Sequence, residues 1–229
     1  MKLHSRATGA GLLFAGLLLW LPLEARSAPA SQDGGAQANK YIGVDKCKAC
    51  HQAEASGNQF EHWKKSGHAR AYEILASDAA KAVAKERGIE DPQKSDQCLK
   101  CHVTALGAPK EQIKKGFDLS DGVQCEGCHG PGERHMKARF AAAGQAGADP
   151  KVRQEVPADE IRAKVDQETC KGCHNEESPS FKPFCFKERW ASIGHFDPRK
   201  QRTPADGVKC GCEPCACASC STEHGKEKK

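Results

Sequence analysis

Large apolar residues are scarce in this chain. Among 229 residues there are two tyrosines, three tryptophans and two methionines, and aromatics reach only 6%. No segment alternates apolar and polar residues over the length of a strand, which argues against a fold built on sheets. No apolar run approaches the roughly 20 residues needed to cross a bilayer as a helix. An excess of one charge is lacking too: 35 Lys and Arg face 30 Asp and Glu, a net +5. No basic stripe carries interleaved aromatics, so nucleic acid is excluded as a partner. A chain with so few large side chains struggles to offset its conformational entropy. Something other than side chains has to supply the core, and fourteen cysteines are the conspicuous surplus.

The first thirty residues do not belong to the fold. Lys2 and Arg6 precede an apolar run from Leu12 to Leu23, and small residues follow around Ala25 to Ala30. This is the pattern of a secretory signal peptide over residues 1–30. Its removal leaves no membrane span and a chain exported to the periplasm, an oxidising compartment. Residues 31–40 are a flexible polar leader, 41–200 the folded domain, and 201–229 a charged, cysteine-rich extension.

The folded part reads as mainly α, with short helices and long loops. A helix runs from Asn58 and breaks at Gly67, with a second turn through Tyr72 and Leu75. Ser77 or Asp78 starts another that Gly88 ends, and Ser95 is a cap for a third. Residues 133–144, 159–165 and 186–195 are also helical by pattern. Residues 104–122 read as loop, and 144–157 as a linker.

One unit recurs four times. Cys47-x-x-Cys50-His51, Cys98-x-x-Cys101-His102, Cys125-x-x-Cys128-His129 and Cys170-x-x-Cys173-His174 all read C-x-x-C-H. Their uneven spacing excludes a solenoid, which keeps a fixed period. C-x-x-C-H is the attachment signature of c-type haem. Two thiols one helical turn apart form thioethers to one edge of the porphyrin, and the next residue sets its imidazole under the iron. Zinc ribbons also use C-x-x-C pairs but need no histidine at the following position, and disulfides would leave the four histidines unexplained. Four covalent haem c groups, tightly packed, are then the missing core.

Each iron has a second axial position. Met136 is the only methionine after the signal peptide, so ligation is mostly bis-histidine, which favours low potentials. His135 follows His129 closely, with Gly130-Pro131-Gly132 turning the chain between them. Its reach suits a neighbouring haem rather than the one bound at His129. His68 and His195 each follow a tryptophan that can pack on a macrocycle, and both are distal-ligand candidates. Three candidates for four irons leave a deficit. His62 or Met136 fills it, or one iron is five-coordinate and open to small ligands.

The segments "SGHA", "CLKCHVT", "GVQCEGCHGPG" with His135, and "CHNEESP" go beyond bare haem motifs. Together they resemble the tetrahaem cytochrome c-554 family of exported multihaem cytochromes, over about residues 41–195. The resemblance implies a helical fold wrapped around closely packed haems, with electron transfer as the function. It also implies that His68 and His135 serve haems other than their nearest in sequence. The family has one high-spin, five-coordinate haem. It also carries a distal histidine between the second and third motifs, where this chain has none from Val103 to Gln124. His195 is the residue left for that role.

Cys185, Cys210, Cys212, Cys215, Cys217 and Cys220 fall outside the motifs, and the last five also lie beyond the resemblance. Their density suits a soft metal ion or, equally, local disulfides. Three functions remain in play. The first is a periplasmic electron carrier with redox protein partners, not itself an enzyme. The second is a reductase of a small nitrogen or sulfur species at an open iron. The third is a metal-handling protein acting through its tail.

Overall fold

A computed structural model describes residues 38–146, 155–182 and 184–199. The signal-peptide reading and the cysteine-rich extension lie outside these residues. Eight short helices follow one another in the described part: α1 (Val44–His51), α2 (Gln59–Lys65), α3 (Asp78–Glu86), α4 (Asp96–His102), α5 (Cys125–His129), α6 (Glu133–Ala146), α7 (Gln167–Lys171) and α8 (Phe186–Ile193). Among the described residues there is no strand, only a parallel bridge between Tyr41 and Ile113. The mainly helical reading holds.

Local chemistry explains most of the boundaries. Ser77 caps α3, its Oγ accepting from Ala80 N at 3.2 Å, as N-cap serines do. Past Lys65 the chain tightens into 3₁₀ turns at His68–Arg70 and Glu73–Ala76, where a second helical turn was expected. Three expectations need correcting. Ser95 sits at the N-cap of α4 but its side chain makes no capping bond. The helix expected over 159–165 is a single 3₁₀ turn, Ala158–Glu160, because Ile161 is extended. The loop-like stretch 104–122 contains two more such turns, Lys110–Gln112 and Leu119–Asp121.

The side-chain core is small. Among the described residues only eight apolar side chains are buried, three of them, Leu75, Leu99 and Val103, in one cluster against Tyr72, Cys98 and Leu106. The remaining order comes from polar clamps. Gln124, 1% exposed, accepts from Val44 N at 2.8 Å and donates to Asp118 O at 2.6 Å. Its own N–H donates to Thr104 Oγ1 at 2.8 Å. One buried amide thus ties α1, the exit of α4 and the entry to α5, with its hydrogen-bonding capacity used rather than stranded.

Candidate haem sites

The four motifs end helices or continue them by a turn. His51, His102 and His129 are the last residues of α1, α4 and α5. Beyond α7, His174 N donates to Cys170 O at 2.9 Å, so the fourth motif completes its turn as well. Within each motif the helical turn brings the two cysteines to one side and the histidine beside them. Close packing fixes the small residue inside the third motif: a Cβ on Gly127 would lie 2.9 Å from Thr104 Oγ1.

All eight motif cysteines, with His51, His68, His102, His129, His135, His174 and His195, line one cavity of 1740 Å³. That is larger than the roughly 300–1,000 Å³ of a site for one small ligand. The motif cysteines are free thiols, available for thioether bonds. Cys185 differs: it is disulfide-bonded.

The motifs approach one another in a definite sequence. Cys47 and Cys125 are neighbours, and each affects the other: Cys125 pushes the Cys47 thiol up, and Cys47 lowers Cys125. Burial, with Cys170 nearby, pushes the Cys128 thiol up to about 11. Burial, with Cys101 alongside, pushes Cys173 up to about 12. The attachment sites therefore neighbour one another in the order first, third, fourth, second. Lys100, inside the second motif, and Glu177, just after the fourth, form an ion pair across the last junction.

The histidines meet in pairs. The rings of His51 and His135 lie 6.1 Å apart, centre to centre, those of His68 and His174 6.0 Å, and those of His129 and His195 6.0 Å. Two imidazoles on opposite faces of one metal ion, each bonded at about 2 Å, have ring centres roughly 6 Å apart. Every pair joins one motif histidine to one of the three expected from outside the motifs. Among the described residues no second imidazole makes a ring contact with His102. Met136 lines the cavity, but His62 does not.

Protonation suits metal binding as well. Nδ1 of His51 lies 3.2 Å from Gln59 Oε1, of His102 2.5 Å from Ala71 O, of His129 2.7 Å from Arg162 O, and of His195 3.1 Å from Ile193 O. These oxygens only accept, so Nδ1 must carry the proton and Nε2 keeps its lone pair. Such outer partners orient a ligating histidine and raise its basicity. Burial is the first cause lowering the pKa of His51, His68, His174 and His195, which favours the neutral, ligating form. The residues therefore fit haem c: free thiols, neutral imidazoles and paired rings around a shared cavity.

Sequence reasoning missed the clamps that hold these parts. Trp63 Nε1 donates to Val123 O at 2.8 Å, and Val123 N donates to His68 O at 3.0 Å. Gly122 has φ +74°, and a Cβ there would lie 2.6 Å from His68 O. The strained glycine before the third motif was the available signal, since such a backbone conformation favours glycine.

Four C-x-x-C-H motifs around a common cavity define a multihaem c-type cytochrome, with covalently attached haem c as its cofactor. The more particular likeness is to the cytochrome c-554 family, as the motif-flanking residues indicated. A family model described as cytochrome c554 and c-prime matches residues 46–130. Cytochrome c-554 of Nitrosomonas europaea is 32% identical over 143 residues, which is 58% of this chain and 57% of that protein. The chain thus spans somewhat more than half the length of that relative. The solved reduced state of cytochrome c554 from Nitrosomonas europaea is 26% identical, covering 68% of this chain and 79% of the other, with a TM-score of 0.40.

Proposed function

We propose that this protein is an exported electron carrier holding four covalently attached haem c groups. Cys47 and Cys50, Cys98 and Cys101, Cys125 and Cys128, and Cys170 and Cys173 attach them. His51, His102, His129 and His174 are the proximal ligands, and His135, His195 and His68 are the distal ligands opposite His51, His129 and His174. The observation that carries this reading is the set of three imidazole pairs, each about 6 Å between ring centres.

When bound, haem c supplies reversible one-electron iron chemistry. The chain's part is to fix ligation, spacing and burial. Its cysteine neighbours favour haems adjacent in the order first, third, fourth, second, a path along which an electron can pass from one to the next. Export to the periplasm is in keeping with the N-terminal signal pattern and the density of cysteine. Among the described residues no helix is long and apolar enough to cross a membrane. A pyridine haemochrome assay on the purified protein tests the count: the expected result is four haems per chain, and two or fewer contradicts the reading.

A second reading rests on His102. No second imidazole lies against it among the described residues, so an iron held there and not capped by Met136 would keep an open face, the requirement for reducing a small nitrogen or sulfur species. Turnover of nitric oxide or nitrite by the reduced protein supports it; reoxidation without consumption of either removes it.

A further inference from the structure

Glu126 stands inside the third haem motif, between Cys125 and Gly127, and no haem-attachment chemistry requires a carboxylate there. It is 3% exposed. Among the described residues its oxygens face no side-chain cation at hydrogen-bond distance. They accept from three backbone N–H groups instead. Ile42 N lies 2.9 Å from Oε1 and 3.1 Å from Oε2, Gly43 N lies 2.8 Å from Oε2, and Gly132 N lies 2.7 Å from Oε1.

Those donors are not scattered. Ile42 and Gly43 immediately precede α1, which ends on His51, and α1 has no capping side chain of its own at Gly43. Gly132 immediately precedes α6, whose third residue is His135. A helix start leaves backbone N–H groups unsatisfied, and a carboxylate is a favourable acceptor for them. One carboxylate therefore holds the entries to two helices, and each helix carries one imidazole of the same 6.1 Å pair.

We propose that Glu126 is a positioning residue for the haem attached at Cys47 and Cys50, setting the separation of its two axial histidines. This rests on the reading that His51 and His135 ligate one iron. Both oxygens are required, because Oε1 spans Ile42 and Gly132 while Oε2 spans Ile42 and Gly43. A glutamine in its place presents an NH₂ to one of these donor sets, donor against donor, and at least one buried N–H loses its acceptor. Other links join the same two segments. Asn39 Oδ1 accepts from Arg134 N at 3.0 Å, and Lys40 O accepts from Glu133 N at 3.1 Å. The first lies at the surface, and neither reaches the start of α1.

The test uses the full-length holoprotein, with haem count and ferric EPR as readouts. His135→Ala first identifies the low-spin signal of the first haem by removing it. Glu126→Gln is expected to retain the full haem complement and to lose or shift that same signal while the low-spin signal of the third haem, whose motif contains Glu126, stays in place. Glu126→Asp keeps both acceptor oxygens and is expected to preserve a larger fraction of the signal than Glu126→Gln. Asn39→Ala is expected to leave it unchanged. Should Glu126→Gln fail to mature, Gly132→Ala presses on the same junction, because its Cβ would lie 3.2 Å from Glu126 Oε1 and 3.3 Å from Cδ1 of Ile42, whose N–H donates to Glu126; that signal is then expected to shift. Glu126→Gln with signals identical to the parent overturns the proposal, as does an equal effect from Asn39→Ala or an unmoved signal in Gly132→Ala. If His135→Ala itself leaves every low-spin signal in place, the ligand-pair reading fails instead.

Discussion

Among the described residues His51, His129 and His174 each face a second imidazole; His102 does not. The two kinds of site are built differently. Each paired site joins segments far apart in the chain, so iron ligation there would staple distant elements together. The site at His102 instead adjoins the apolar cluster of the described residues, with Leu99 and Val103 on either side of Cys101 and His102, and Leu75 packed on them. The apolar cluster thus lies beside the motif histidine that no second imidazole faces among the described residues.

That contrast can be broken from either side. The largest effect is expected from His195→Ala, which makes the iron at His129 resemble the one at His102. Carbon monoxide binding to the reduced protein should rise from one to two molecules per chain, measured by optical titration. Leu99→Ala attacks the packed side. Large-to-small changes in a core cost about 2–5 kcal/mol, so the thermal midpoint should fall clearly while the spin state of the three paired haems stays unchanged.

Gly122→Ala sits between the two kinds of site. Its Cβ would meet His68 O at 2.6 Å on a backbone with φ +74°, and strain of this kind costs about 1–3 kcal/mol. Denaturant unfolding should show that loss, together with a perturbed low-spin signal from the haem between His68 and His174. Ser77→Ala should do least. Losing an N-cap costs about 1 kcal/mol, visible in the melting curve and absent from every haem spectrum.

Much of the site is legible in the order of residues alone. C-x-x-C-H is a local motif whose chemistry depends on one helical turn, so sequence spacing carries it completely. Ser77 is legible for the same reason. The pairing is not: nothing beside His195 says that it faces His129, because that relation is made by the path of the whole chain. Glu126 and Gln124 are invisible on the same ground, since their partners are backbone groups many residues away. The helix expected beyond Glu160 fails because Ile161 is extended, a conformation that apolar periodicity does not encode.

Among the described residues His102 and its three counterparts differ in whether a second imidazole faces them, and a spin-state census of the ferric protein tests whether the irons differ in the same way. Integrated EPR of the fully oxidised full-length chain should return three low-spin haems and one high-spin haem. Four low-spin haems, or two or more high-spin ones, would contradict it.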